Sequence, residues 1–599
     1  MVFKVCFGIT IALLAAMLAF GTFLVFVKKR IKYPIAVFVI LQFFAGASIF
    51  FPLYWSAFEE PFKSTIVSFH SSLILFTLNS GFETMLDAGE LLDPLGQSFK
   101  GAYYTVAAIT YFIAPILTAT FILSLLKSFL NFLKFKLSFA REVYVFSELN
   151  KKTANLAKSI KEKKKGAVIV FCDINPATID ENDELFEILL DIKAICLKDD
   201  IGNLKFHHHV KSKKKGVYFF LISEDDEKIV NQYNAIVHEN ADMENGTVYL
   251  FSRSAQSDLV FNSVAKKKIT CRKYDSDFLI IYNYLFEKGI DLFKTAQPIN
   301  NGLKQICVTI VGFGLNGKML TKALAWFCQM DGYRLEINVF DSDPDAVSKF
   351  KEQAPDLLNK AFAKPTKAEE NQYVINIHAG VAFGTLEFTK KMEALAKKTT
   401  FAFTCLGDDE RNLAAAIKLR EIFERNGRLG EPPIVSVVYS GEKDYVTKAS
   451  NHKTQEYKIQ CIGSYEHTYS HDFIINSALE DAAIKVHTRY GSSTEGLFGF
   501  AYNYRSSCAS AIHMKTKIAL QIHNAQLPRN KLTEEEIMAI AAMEHRRWSA
   551  WTRGEGYVYG PDRNDLAKIH HDLIEFSKLP KSTQEYDIKV GTLDPEPEE

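Results

Sequence analysis

The chain carries almost no net charge: across 599 residues, 71 basic side chains meet 70 acidic ones. Nothing in that balance argues for nucleic acid as a partner, because phosphate backbones select basic surfaces. Cysteine pairs are missing too. The nine cysteines are scattered singly, without a Cys-x-x-Cys pair or a regular framework. That pattern argues against a disulfide scaffold or a zinc site and for reduced, buried thiols facing the cytosol. The N-terminus lacks the basic start of a secretion signal, since Lys28-Lys29-Arg30 and Lys32 follow the first apolar run instead of preceding it.

Long apolar runs, by contrast, are abundant in residues 1–136. Val5–Val27, Tyr33–Trp55 and Gly101–Leu126 are each long enough to cross a bilayer as a helix. Between the second and third lies Ser64–Phe82, which is shorter and carries Ser, Thr, His and Asn. Such side chains are costly against lipid, so this segment is expected to dip partway into the membrane and line a wet cavity. Charge sets the orientation. Lys28–Lys32 and Lys127, Lys134, Lys136 and Arg141 flank the spans on one side, and Glu59, Glu60, Glu83, Asp87, Glu90 and Asp93 crowd the other. Short cytoplasmic loops are enriched in Lys and Arg. The expectation is a multi-pass protein of the inner cell membrane, its N-terminus outside and its later domains in the cytoplasm.

Within the dipping segment, Ser64–Phe76 is expected to form a short tilted helix. Thr77, Leu78, Asn79, Ser80, Gly81, Phe82 and Glu83 then make an irregular turn, the candidate selectivity filter. A filter replaces an ion's hydration shell with closely spaced oxygens, which these residues supply, and Gly81 permits unusual backbone angles. Pro115 is the candidate hinge of the third span, whose Thr105, Thr110, Thr118, Thr120 and Ser124 give a partly polar face. This layout is similar to the pore of potassium channels. Their Thr-Val-Gly-Tyr-Gly filter is absent, which leaves selectivity open. A three-helix anchor with an amphipathic segment on the outer surface is the plainer alternative.

Beyond Arg141 short β-rich runs alternate with helical stretches, the pattern of parallel α/β sheets, and it occurs twice. The second copy has strand Ile306–Val311, the turn Gly312-Phe313-Gly314-Leu315-Asn316-Gly317, helix Lys318–Gln329 and strand Arg334–Phe340 ending at Asp341. This is Gly-x-Gly-x-x-Gly in its strand–turn–helix setting, with an acid placed to meet a ribose hydroxyl. The equivalent turn of the first copy, Ser147–Lys152, has no glycine, so pyrophosphate is not expected there. Strand Thr400–Leu406 leads into Gly407-Asp408 at the carboxyl edge, where such sheets bind ligands. His207-His208-His209 is read as a solvated loop and not as a metal site, since neighbouring side chains point apart.

These two copies, at residues 142–290 and 304–485, resemble the regulator-of-conductance domains of Trk/Ktr and calcium-gated potassium channel systems. The resemblance implies a ring of nucleotide- or ion-binding domains beneath a pore. It places NAD(H) or another adenine nucleotide at Gly312, Gly314, Gly317, Asp341, Gly407 and Asp408. An empty second half is the alternative. An oxidoreductase is disfavoured, because no separate substrate domain or evident proton donor follows.

Thr533 and Glu536 form a capping-box pattern. The helix they open carries Glu544-His545-x-x-Trp548, followed by Gly556-Tyr557-Val558-Tyr559-Gly560 and Lys568-Ile569-His570. Residues 533–589 resemble the repeat domain of ryanodine receptors, with Tyr557 where Trp is commoner and His571 where Pro often follows. The resemblance implies ligand sensing, with Arg546, Trp548, Tyr557, Tyr559 and Lys568 as candidates. A small helical domain with an aromatic core is the alternative. Residues 590–599 are expected to be a disordered acidic tail.

The fold class expected is therefore an α-helical membrane domain with a re-entrant loop, two Rossmann-like doubly wound α/β domains and a small, mostly helical terminal domain. The function expected is a non-enzymatic, ligand-gated cation channel, tetrameric by analogy, that lies in lipid and answers to a small nucleotide-type ligand. Two other classes compete: a membrane-permeabilising effector of a prokaryotic defence or nucleotide-messenger pathway, and a membrane-anchored nucleotide sensor without a pore.

Overall fold

The computed structural model describes all residues except 27–33, 78–88, 139, 175–183, 212, 264–267, 359–372, 440–456, 490–492 and 595–599. Of the candidate filter, only Thr77 is among the described residues; Leu78, Asn79, Ser80, Gly81, Phe82 and Glu83 lie outside them. Two compact units divide the chain, the first built on residues 1–138 and the second on most of the rest.

In the first unit, helices α1 (Val2–Phe26), α2 (Pro34–Phe58) and α4 (Gln97–Leu137) each contain a stretch long and apolar enough to cross a membrane. Between α2 and α4 sits α3 (Pro61–Leu75), whose 15 residues rise about 22 Å. It folds back along α2: the Ser72 hydroxyl donates to the Phe43 carbonyl at 2.6 Å, and the Phe69 ring lies 5.3 Å from that of Phe43. Its C-terminal end therefore lies beside the middle of α2.

The polar side chains of α3 do something other than expected. Ser64, Ser68, Ser71 and Ser72 form its buried face. Ser68 donates to the Ser64 carbonyl at 2.6 Å, and Ser71 meets the Tyr54 hydroxyl at 2.8 Å. A Cβ at Gly46 would stand 2.4 Å from the Ser72 oxygen. Small residues here let two helices approach closely and let Ser71 and Ser72 bond across to α2, a familiar solution in lipid, while the buried Ser64 hydroxyl has no hydrogen-bond partner among the described residues. In the single chain the serine face is thus a helix–helix contact and not a cavity lining. Pro61, Phe62, Lys63, Ile66, Phe69, His70 and Leu73 are the exposed residues of α3.

Helix α4 is fastened to α2 by Tyr103, whose hydroxyl donates to the Ile49 carbonyl at 3.0 Å, and by Gln42, which donates to the Thr110 carbonyl at 2.6 Å. Thr105, Thr110, Thr118 and Thr120 return their hydroxyls to carbonyls one turn earlier, which mutes the polar face. The helix runs unbroken through Pro115 to Leu137, 41 residues and about 62 Å. The stretch after the span, read as a linker, is mostly helix.

Beyond residue 140 the chain forms two sheets. The first has β1 (Val143–Phe146), β2 (Val168–Phe171), β3 (Ile195–Cys196), β4 (Val217–Ile222), β5 (Gly246–Phe251) and β6 (Thr270–Tyr274), in the order β3-β2-β1-β4-β5-β6. After the short β7 (Gln297–Pro298), which pairs antiparallel with β8, the second sheet has β8 (Lys304–Val311), β9 (Tyr333–Phe340), β10 (Tyr373–His378), β11 (Phe401–Thr404), β12 (Ile434–Val437) and β13 (Ile459–Ile462). Its order, β10-β9-β8-β11-β12-β13, repeats the first, and both have the 3-2-1-4-5-6 sequence of dinucleotide-binding sheets. Central strands such as Val-Tyr-Val-Phe at β1 are buried on both faces, which is why they read as continuous apolar runs.

Helices flank the strands: α5 (Lys151–Lys163), α6 (Leu204–Val210), α7 (Asp226–Glu239), α8 (Ser276–Lys288), α9 (Leu315–Phe327) and α10 (Asp409–Arg425). The three consecutive histidines lie in α6. His207 is 1% exposed and accepts or shares a hydrogen bond with Asn240 at 2.9 Å, so the solvated-loop expectation is corrected.

The terminal region is mostly helical: α11 (Ala478–Thr488), α12 (Ala501–Ala519), α13 (Glu534–Gly554) and α14 (Lys581–Gly591), with a two-strand pair β14 (Val558–Tyr559) and β15 (Ile569–His570). Thr533 caps α13 in the predicted capping box with Glu536. These helices pack on the α/β sheets. The Trp551 indole donates to the Tyr282 hydroxyl at 3.1 Å, and His513 meets the Gln329 carbonyl at 3.0 Å. Glu480 of α11, 4% exposed, holds Arg272 and Tyr274 of β6, each at 2.6 Å. Val590 and Gly591, expected in the disordered tail, are buried in α14, and Lys517 donates to the Gly591 carbonyl at 2.5 Å.

The close approach of α2 and α3 gives a test. Gly46→Val forces the helices apart, an overpacking cost of about 1–3 kcal/mol. Thermal unfolding in detergent is expected to show a lowered Tm, whereas Gly8→Val, with open space around Gly8, leaves it unchanged.

Candidate ligand site at the glycine turn

The turn between β8 and α9 uses its three glycines in three ways. Gly312 has φ +98°, and a Cβ there would lie 2.5 Å from the Cys405 carbonyl oxygen of the neighbouring strand end. At Gly317 a Cβ would strike the Gly312 carbonyl at 2.1 Å. Gly314 has nothing within 4 Å of its Cβ position and is exposed. The first and third glycines therefore seat the helix against the sheet, and the second leaves room for a ligand.

Gly314 is also the N-cap of α9, and no side chain bonds the helix's first amides. Free amides and the helix dipole suit an anion there. The equivalent helix of the first copy is closed from within: Asn150 accepts from the Thr153 amide at 2.9 Å and donates to the Ile222 carbonyl at 3.1 Å. Asp225, Asp275 and Asp408 likewise cap α7, α8 and α10.

That role reassigns Asp408. One oxygen of its carboxylate accepts from the Arg411 amide at 2.9 Å and so serves the helix. Asp341 stands at the end of β9 as predicted, but it is tied to the turn: one oxygen accepts from the Phe313 amide at 2.6 Å and the other from the Asp343 amide at 2.8 Å. Each oxygen keeps a lone pair for a ribose hydroxyl. Gly407, at φ +82°, lines a cleft.

Two clefts flank Gly314 and Leu315. One, of about 310 Å³, gathers the carboxyl ends of strands from both sheets: Arg253 and Asp277 come from the first, Asn316, Gly407 and Tyr439 from the second. The Tyr439 hydroxyl accepts from Asn316 and donates to Asp277 at 3.1 Å, and Asp277 pairs with Arg253 at 3.0 Å. Asn316 is 7% exposed, and its side-chain oxygen has no partner. The first half, expected only to support the second, contributes charged groups to this cleft. Nothing in the linear sequence marked Asp277 or Tyr439, because their roles arise from two sheets facing each other.

The other cleft, of about 320 Å³, lies along α9 and is lined by Lys318, Lys322, Arg505, Tyr282, Trp551 and Glu555 among others. Lys318 and Lys322 follow Gly314 at steps of four, the one local signal that could have flagged them.

The terminal candidates divide. Trp548 and Tyr557 both pack on His570, ring centroids 4.9 and 6.4 Å away, so they belong to the core of this region. Tyr559 is exposed. Lys568 donates to the Glu555 carbonyl at 2.7 Å. Arg546 pairs with Asp331, away from Trp548, because residues two apart on a helix face opposite ways. The five do not form one site.

Set beside known proteins, the chain matches no family model and no curated protein. Its architecture still defines a class: N-terminal membrane-spanning helices joined to two parallel-sheet, Rossmann-like domains whose fold is that of nucleotide binders.

Burial, partly offset by Arg253, raises the Asp277 carboxyl from 3.8 to about 6. As pH rises from about 4 to about 6, the unfolded chain releases this proton first, so the folded state loses about 3 kcal/mol, two pKa units at about 1.4 each. Asp277→Asn removes that term. Its Tm is expected to fall less than the wild type's between pH 4.5 and pH 6.5.

Proposed function

We propose that this protein is a ligand-gated cation channel whose pore assembles from several chains, four by analogy, and whose gate answers to a nucleotide-type ligand. The observation that carries the reading is α3, a 15-residue helix packed along α2 between two spans and followed directly by the oxygen-rich stretch from Thr77 to Glu83. The arrangement resembles potassium-channel pores, and the paired sheets resemble their regulator domains.

In this reading an adenine nucleotide such as NAD(H) lies at the carboxyl edge of β8. The amides after Gly314 meet its phosphates, and Asp341 meets a ribose hydroxyl. The ligand acts as a conformational signal and undergoes no chemistry. Its binding shifts the gate only by its affinity difference between closed and open states. Unbroken to Leu137, α4 is a stiff lever for that shift, with Pro115 the place where a missing backbone hydrogen bond eases bending. The basic flanks of the spans support an inner-membrane location with the N-terminus outside and the sheets in the cytoplasm.

A second reading has its own support. Because Ser71 and Ser72 of α3 bond α2 and Ser68 bonds its own helix, most of the segment's polarity is met without a water-filled conduit. That favours an anchored sensor without a pore. Purified protein in liposomes separates the readings. The channel predicts saturable potassium or sodium flux that depends on added nucleotide and changes preference when Thr77–Glu83 are replaced by glutamine one at a time. Leakage of dye-sized solutes points instead to a permeabilising effector, and absence of flux to the anchored sensor.

A further inference from the structure

The cleft along α9 concentrates positive charge where the fold disfavours it. Lys318 and Lys322 occupy one stripe of the first two turns, four residues apart, so they repel each other and oppose the helix dipole. Neither has an ion pair or hydrogen bond among the described residues; Lys322 only approaches the Phe350 ring, at 5.9 Å. Arg505 of α12 faces the same cavity, and burial lowers the Lys322 ammonium; Glu555 partly offsets this, while Lys568, Lys318 and Arg505 add to it. Against these stand two carboxylates. Glu555 is held by Arg505 at 3.0 Å, and Asp275 is engaged in capping α8, accepting from the Asp277 amide at 2.9 Å. Several cations facing one cavity repel one another, and that repulsion is relieved when an anion joins them.

We infer that this cavity binds a phosphoryl-bearing anion of at least two negative charges, gripped jointly by Lys318 and Lys322 of the glycine-turn helix and by Arg505 of the terminal helices. The inference deepens the nucleotide reading and rests on it for the identity of the anion's carrier. Its consequence is mechanical. The entering phosphate competes with Glu555 for Arg505, so the end of α13 and the loop that carries Glu555 and Lys568 are released or re-paired as the ligand arrives. The terminal region then senses the ligand by forming a wall of its site and needs no separate aromatic pocket.

The test uses the full chain in detergent, titrated calorimetrically with sodium tripolyphosphate and with ATP, for the wild type, Lys318→Gln and Lys322→Gln. Each substitution is expected to weaken both probes about tenfold. Without ligand, Lys322→Gln is expected to keep or raise Tm, because it removes a buried like charge; that readout shows the variant is folded. Tripolyphosphate weakened with ATP unchanged upholds the anion site and places the nucleotide elsewhere. Both probes unchanged in folded variants overturns the inference and leaves the nucleotide reading standing. A wild type that binds neither probe at millimolar concentration overturns both.

Discussion

The second unit depends on one close approach, that of Gly312 to the Cys405 carbonyl. With φ +98° and no side chain, Gly312 lets the end of β8 pass against the end of β11 and turn at once into α9. Any Cβ would push the helix away from the switch point, where the strand order reverses. The position of α9 in turn creates both clefts, since Gly314 and Leu315 line each of them. One contact thus sets where an anion meets free amides, where Asn316 reaches Tyr439, and where Lys318 and Lys322 project.

The duplicated sheets have diverged in a physically readable way. The same strand order carries a self-capped turn at Asn150 and an open turn at Gly314. In the first copy the helix end is satisfied by its own side chain and its neighbour's carbonyl. Its remaining polar groups, Arg253 and Asp277, are directed into the cleft shared with the second copy. The Tyr439–Asp277 hydrogen bond joins the two strand edges across that cleft.

Much of this was legible in the linear chain, and what was not has identifiable causes. Central strands announced themselves as apolar runs because both faces are covered; the run expected at Ile306–Val311 forms β8, Lys304–Val311. The outer strands did not. β6 reads Thr-Cys-Arg-Lys-Tyr and β10 reads Tyr-Val-Ile-Asn-Ile-His, half-buried sequences with polar residues, while β3 is two residues long. The glycine turn was found from spacing, and so was the Thr533 cap. Asp408 was misjudged because an acid after a strand can serve a ligand or the next helix, and only geometry separates the two. The serines of Ser64–Phe76 misled in the same manner: the Ser71 and Ser72 hydroxyls, which seemed to need water, found partners on α2. Lys318, Lys322 and Arg505 were invisible as a group, since nearly two hundred residues separate the lysines from the arginine.

The central claim is that occupation of the glycine turn is transmitted to ion flow. Currents across planar bilayers containing the purified protein test it most directly, with ATP added to the wild type and to Gly314→Val. The open space at Gly314 lets the variant fold while its side chain fills the phosphate position. The account predicts ATP-dependent currents in the wild type that disappear in the variant. Currents that ignore ATP, or that persist unchanged in Gly314→Val, would contradict it.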